Sequence, residues 1–277
     1  MVDLRRVTAL ASVQLAPNPG PMTLDGTNSY LLRGASSASC VVVDPGPDNV
    51  GHLQALAAGP VDLILITHQH IDHTEGADRL HALTGAPVRA ALPAYCFGGA
   101  ELNDGERIEA AGVQIDVVAT PGHSGDSVSF YLPEDRPLAG EAPTSGSVLT
   151  GDTVLGRGST VIGVPDGTLA QYLESLRTIA ELGAPHLTSL IGLPAHGPVL
   201  GDLAAVCERY LAHRLQRLEQ VRQALVALGM SADEARSDDG MAAVLTVVHP
   251  DIDPAIVFAA VFSIAAQLAY LASAQAT

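Results

Sequence analysis

Residues Thr67–Gly76 read T-H-Q-H-I-D-H-T-E-G, and they place His68, His70, Asp72 and His73 within six positions. Just upstream runs Val61, Asp62, Leu63, Ile64, Leu65, Ile66. A short apolar run rich in branched residues reads as a buried strand. The metal-ligand residue types therefore begin where that strand ends. Side chains two apart in an extended segment point the same way, so His68 and His70 converge on one ion. Asp72 and His73 lie past the turn and face another. Imidazole and carboxylate without thiolate suit zinc, with iron or manganese as alternatives.

Outward from this stretch the chain repeats one arrangement. Before it, residues 7–32 read as two strands around a Pro/Gly-rich loop, and Ser39–Val43 is a short buried strand ending in Asp44-Pro45-Gly46. Val50–Ala58 is helical. After the stretch, Gly76–Leu83 is helical and stops at Gly85, and Val88–Ala91 is strand-like. Val113–Ala119 is a strand followed by His123 in T-P-G-H-S; Ser127–Leu132 is another strand. Val148–Thr150 is followed by Asp152 in T-G-D-T, and Leu187–Leu193 by His196 in P-A-H-G-P. Four strands thus end in loops that each present a ligand type, as expected of a site on loops over a rigid sheet. Pro133–Gly146 reads as an exposed loop, and Leu169–Leu182 as an amphipathic helix ending at Gly183.

His68, His70, Asp72, His73, His123, Asp152 and His196 are too many ligands for one tetrahedral ion and a suitable supply for two. The spacing assigns His68, His70 and His123 to one ion and Asp72, His73 and His196 to the other, with Asp152 bridging. Two such ions acidify a shared water into a bridging hydroxide for attack on a phosphoryl or carbonyl centre. Asp72 and Asp152 are accordingly the catalytic carboxylates, and Asp72 is placed to orient the hydroxide.

Composition narrows the partners. The chain has 277 residues, of which 47% are hydrophobic, enough for one large domain with an appendage. Its net charge is -16 and every basic residue is arginine, which argues against charge-driven binding to nucleic acid or anionic membrane unless one local groove is basic. Cys40, Cys96 and Cys207 are few, scattered and odd in number, which favours a reduced, cytoplasmic setting over a disulfide scaffold. The N-terminus lacks a sustained apolar core. Leu203–Leu228 is helical and carries Arg209, Arg214, Arg217 and Arg222; Ser231–Asp239 is an acidic break; Met241–Val248 is a short helix or strand. Ala255–Ala274 is uncharged, but its Val261, Ile264, Ala265, Leu268 and Leu271 recur at helical spacing. That stripe reads as a packed or dimer-interface helix rather than a membrane span. A composition change near Gly201 divides the chain into residues 1–201 and 202–277.

The series H-x-H-x-D-H, P-G-H, G-D and H-G resembles the metallo-β-lactamase superfamily over roughly residues 10–200. The resemblance implies an α/β fold, an αββα sandwich with two zinc ions along one edge held by the seven residues named. Asn18–Tyr30 (N-P-G-P-M-T-L-D-G-T-N-S-Y) further resembles the β-lactamase-like protein 2 group, whose C-terminal helical winged-helix-like appendage is similar to Leu203–Ala274. That group includes endoribonucleases acting on single-stranded RNA, so the resemblance implies such a substrate. A small-molecule thioester or lactone, as for a glyoxalase II, is the alternative, although P-A-H-G stands where C-G-H-E would be expected. A regulator that only binds nucleic acid would not need the ligand set. No long insert reads as a β-CASP cap.

Secondary candidates are Asp44, which either hydrogen-bonds a ligand histidine or caps its turn, and Arg157, which either contacts a substrate phosphate or is a solvated loop residue. His52, His81, His186, His213 and His249 lack ligand spacing and read as structural or surface residues. Tyr95 and Phe97 read as packing residues.

Overall fold

A computed structural model of the chain describes residues 4–138, 144–182, 189–253 and 257–275. His186, Gly183 and parts of the loop 133–146, of the strand 187–193 and of the tail helix 255–274 lie outside the described residues.

Two sheets form the centre. The first holds β1 (Arg5–Arg6), β2 (Ala11–Leu15), β3 (Asn28–Leu32), β4 (Cys40–Val43), β5 (Val61–Leu65) and β6 (Val88–Arg89), in that order. The chain is antiparallel through β4 and parallel from β4 to β6. The parallel steps are made by α1 (Val50–Leu56) and by a helical turn α2 (Ile71–Thr74) followed by α3 (Ala77–Thr84). The second sheet runs β11 (Ile191–Pro194), β10 (Ser147–Gly151), β9 (Val128–Leu132), β8 (Val113–Ala119) and β7 (Arg107–Ala110). Its β10–β11 pair is parallel. Behind it lie α4 (Leu169–Glu181) and the tail helices α5 (Leu203–Leu228), α6 (Asp238–Val248) and α7 (Val257–Gln275).

The layering follows from the pleat. In β4, Val41 and Val43 enter the core between the sheets, whereas Cys40 and Val42 enter a second core under α1 and α3. In β5, Leu63 and Leu65 face inward and Ile64 faces the helices. A strand covered on both faces must be apolar, which explains the run Leu63–Ile66 before the histidines, whereas Asp62 near the start of β5 is exposed. Leu149 and Leu193 of the second sheet close the central core, while Val148 turns to the outer one. That outer core continues from Leu173 and Leu176 on α4 into Leu218 on α5, Val244 on α6 and Leu268 on α7. The molecule is therefore helix–sheet–sheet–helix.

The sequence expectations differ from the structure in several places. β7 carries Arg107 and Glu109 on its exposed face, so its pattern does not announce a strand. Asp72 and His73 stand on the turn α2. The strand before His196 begins only at Ile191 among the described residues. The tail is helical as expected; after β11 the described residues form helices and no strand, so no wing stands among them. Of the apolar stripe of α7, Ile264, Leu268 and Leu271 are buried against the rest of the chain, while Val261 and Ala265 are half-buried. No helix among the described residues is long and apolar enough to cross a membrane. Cys40, Cys96 and Cys207 are free, and burial pushes the Cys207 thiol up to about 12.

Candidate metal centre

The ends of β4, β5, β8, β10 and β11 meet on one edge of the sandwich, and their loops bring all seven sequence-predicted ligands together. Nε2 of His68, Nδ1 of His70 and Nε2 of His123 form one trio, and Asp72, His73 and His196 form another. In the first, His70 Nδ1 lies 2.9 Å from both His68 Nε2 and His123 Nε2. In the second, Asp72 Oδ2 lies 3.3 Å from His73 Nε2 and 3.1 Å from His196 Nε2. Asp152 stands between them. Its Oδ2 is 3.6 Å from His123 Nε2, and its Oδ1 is 3.7 Å from His73 Nε2 and 3.3 Å from His196 Nε2.

The surrounding hydrogen bonds set each ring's tautomer. His73 Nδ1 donates to Asp44 Oδ2 at 2.9 Å, His123 Nδ1 to the Val161 carbonyl at 2.6 Å, and His196 Nδ1 to the Gly26 carbonyl at 3.1 Å. Each bond leaves an Nε2 lone pair aimed at the cluster. Thr67 Oγ1 gives its single proton to Asp44 Oδ2 at 2.8 Å, so it accepts from His68 Nδ1 at 3.1 Å. Asp44 therefore orients two of the rings. It does so with a φ of 52°, which an aspartate tolerates at moderate strain, and its Oδ1 also accepts the Thr67 backbone N–H at 2.8 Å. Of the two readings of Asp44, the structure shows the bond to a histidine of the cluster.

The Asn18–Tyr30 signature acquires a physical meaning here. Asn28 Nδ2 donates to the carbonyls of Pro194 and Gly197, both at 2.9 Å, and the Tyr30 hydroxyl donates to Pro194 at 2.9 Å. These bonds clip the first sheet to the loop that carries His196. The glycine in P-G-H is required by contact: Gly122 has a φ of 137°, and a Cβ there would lie 2.4 Å from the Tyr172 backbone.

Charge and burial agree with a cation between these groups. His73 Nε2, Asp152 Oδ1 and His196 Nε2 are buried and have no hydrogen-bond partner. Buried polar atoms ordinarily find one, and two imidazoles and a carboxylate converging without one form a donor set for a metal ion. Burial alone would lower the His73 pKa, but Asp44, Asp72 and Asp152 hold it well above the usual value. His196 is raised to about 9 because Asp152 and Asp72 outweigh its burial. A field that favours a proton on these rings favours a divalent cation among them. Burial would raise Asp72 and Asp152, yet the facing imidazoles hold both below the usual carboxylate range. His68 and His123 are lowered, chiefly by burial, which keeps their lone pairs available.

Arg157 is the sequence candidate that the cluster does not include. Its guanidinium is exposed and engaged bidentately by Asp25, at 2.5 and 2.9 Å. It lines a different hollow, together with Arg5 and Asn28. His52 is buried, with its ring between Gln14 and Ser29, and is structural. Sequence reasoning missed the residues that hold the loops. The Thr160 hydroxyl is 3.1 Å from His123 Nδ1, and the carbonyl of Thr160 accepts a bond from the buried Arg214 of α5. The hydroxyl of Tyr210, one turn earlier, donates to Gly158 at 2.8 Å. Asp166 Oδ2 accepts from Ser124 at 2.6 Å and from Gln69 at 3.0 Å, linking the H-Q-H and P-G-H-S loops. Missed too were Met22, Phe258 and Phe262, which line one cavity with His70, Asp72, His123 and Asp152. Two of the chain's four phenylalanines spaced i, i+4 in an alanine-rich segment were a legible signal.

An αββα sandwich with paired His/Asp trios along one edge defines the metallohydrolase class. The chain belongs to the metallo-beta-lactamase superfamily, whose family model matches residues 22–185. It is 34% identical over 248 residues to the lactamase-like protein nscB of Aspergillus fumigatus, covering 86% of this chain and 68% of that protein. It is 32% identical to the beta-lactamase-like protein 2 homolog of Caenorhabditis elegans, covering 76% and 69%. With the atrochrysone carboxyl ACP thioesterase of A. fumigatus it shares 33% identity, covering 76% and 63%. The chain thus spans about two thirds of the length of these relatives. A metallo-beta-lactamase family protein from Thermus thermophilus shares the fold, with a TM-score of 0.72, 23% identity and coverage of 96% and 94%. The chain is accordingly a hydrolase of this superfamily.

Proposed function

We propose that this hydrolase cleaves a thioester or ester whose acyl group is apolar. The observation that carries the reading is the approach to the cluster. A cavity of ≈ 340 Å³ has His70, Asp72, His123 and Asp152 as its floor and Met22, Ile71, Phe258 and Phe262 among its walls. Among the described residues no arginine lines it. A polyanion is bound largely through cationic side chains, and the nearest sequence candidate, Arg157, is neutralised by Asp25. An apolar mouth over a polar floor suits a neutral acyl group with its carbonyl at the floor. That one relative is a thioesterase supports this chemistry.

Two divalent ions held by the trios, zinc by donor type with iron or manganese as alternatives, would supply Lewis-acid polarisation and an acidified water. The chain's own contributions are positional. Asp44, Thr67, the Val161 carbonyl and the Gly26 carbonyl hold the imidazoles in register. Asp72 is the less buried of the two carboxylates, with a side chain 23% exposed against 11% for Asp152, and it lines the cavity. It is placed to orient a water. The water oxygen bonds to the acyl carbon, the carbon–sulfur bond breaks, and the thiol leaves with a proton.

The test compares zinc-loaded wild type with His68→Ala on a decanoyl thioester and on an unstructured RNA. Thioester hydrolysis by wild type alone supports the reading. Internal cleavage of the RNA with the thioester left intact would replace it by the ribonuclease activity that the sequence resemblance implies.

A further inference from the structure

We propose that α7 sets acyl selectivity, with Phe258 and Phe262 forming an aromatic wall that selects medium-length and longer apolar acyl groups over acetyl. The proposal rests on the thioester reading and deepens it. The two rings lie one helical turn apart with centroids 4.6 Å from each other, tilted by 54°. Phe258 is 61% exposed, Ile71 69% and Met22 48%, so three large apolar side chains left in solvent surround one cavity. Scattered apolar residues on a surface need no explanation, whereas a cluster at the mouth of a site marks what the site binds.

The helix that carries the wall is anchored on its other side. Ile264, Leu268 and Leu271 of α7 are buried in the core shared with α4 and α5. The occupant follows from continuity. The cavity that the rings line has His70, Asp72, His123 and Asp152 as its floor, so a carbonyl placed at the floor directs its acyl chain along the rings. The polar side chains of this lining are the carboxylates and imidazoles of the floor, which leaves the wall without a partner for an anionic or strongly polar acyl group. Acetyl offers the rings a single methyl group, whereas each further methylene buried against them raises affinity about two- to fourfold until the wall is covered.

The experiment has two readouts on wild type, Phe258→Ala, Phe262→Ala and the double variant, each checked for metal content. The first is kcat/KM for acetyl, hexanoyl and decanoyl thioesters of one thiol. Wild type should gain with chain length, and the double variant should lose at least about tenfold more on decanoyl than on acetyl. The second is calorimetric titration with decanoate and acetate: wild type should prefer decanoate, and the double variant should lose most of that preference. Equal losses on short and long chains, or an unchanged decanoate preference, would overturn the wall. If wild type hydrolyses none of the thioesters, the proposed reaction falls, and the titration alone decides whether α7 forms an apolar subsite.

Discussion

Asp44 shows how much one side chain decides at this centre. One carboxylate accepts a backbone N–H and a hydroxyl from Thr67 and an imidazole N–H from His73, and through Thr67 it also orients His68. Its removal leaves buried donors without acceptors, which costs about 1–3 kcal/mol for each group left unpaired. It also frees His73 to adopt the wrong tautomer. Asp44→Ala should therefore lower the stability of the chelated protein by about 2–4 kcal/mol in urea unfolding and weaken zinc binding about 10- to 100-fold in a competition titration. An unchanged zinc affinity would show that the rings hold their orientation without it.

Among the elements, α5 has the least obvious role. Arg214 is buried at 4% exposure, donates to the Thr160 carbonyl and lies 5.1 Å from the Tyr172 ring centroid, yet its Nε has no hydrogen-bond partner. A buried charge held this way contributes little net stability, and a hydrophobic replacement of similar size is often neutral. The same side chain holds the segment that supports His123. Arg214→Met should thus separate two quantities. Urea stability of the chelated protein should change by no more than about 1 kcal/mol, whereas zinc affinity should fall about tenfold as His123 loses its support. A large loss of stability with normal zinc binding would make Arg214 a packing residue and nothing more.

For the whole molecule the governing fact is that the candidate metal centre joins the two sheets. Its ligands come from loops of both, so bound metal stabilises the sandwich as a unit. At a free zinc concentration about 100 times its Kd, binding adds about 2.7 kcal/mol. Chelation should accordingly lower the Tm by about 5–10 °C, and elemental analysis before chelation should give about two metal equivalents. One equivalent with no second site under added zinc would rule out the dinuclear arrangement. The net charge of -16 acts on the same scale by discouraging polyanions.

The sequence alone determined the strands that carry the cluster and the identity of the clustered residues, and the layering followed from the family resemblance. The run Val61–Ile66 had to be a buried strand, and the ligand types at its end and at three later strand ends could meet only if those strands ended on one edge. Even the carboxylate between the two trios was legible, in the division that set Asp72 beside His73 and His196 and left Asp152 to bridge. Tertiary structure decided what surrounds them. The bond from Asp44 to His73 links residues 29 apart in the chain, and Arg214 reaches Thr160 across 54 positions. No local pattern encodes such distances. The tail illustrates the same limit: its helical period was readable, whereas the absence of a wing among the described residues and the placing of Phe258 and Phe262 in one cavity with the cluster were not. Periodicity reports which side of a helix is apolar; which neighbour covers that side is a property of the assembled core.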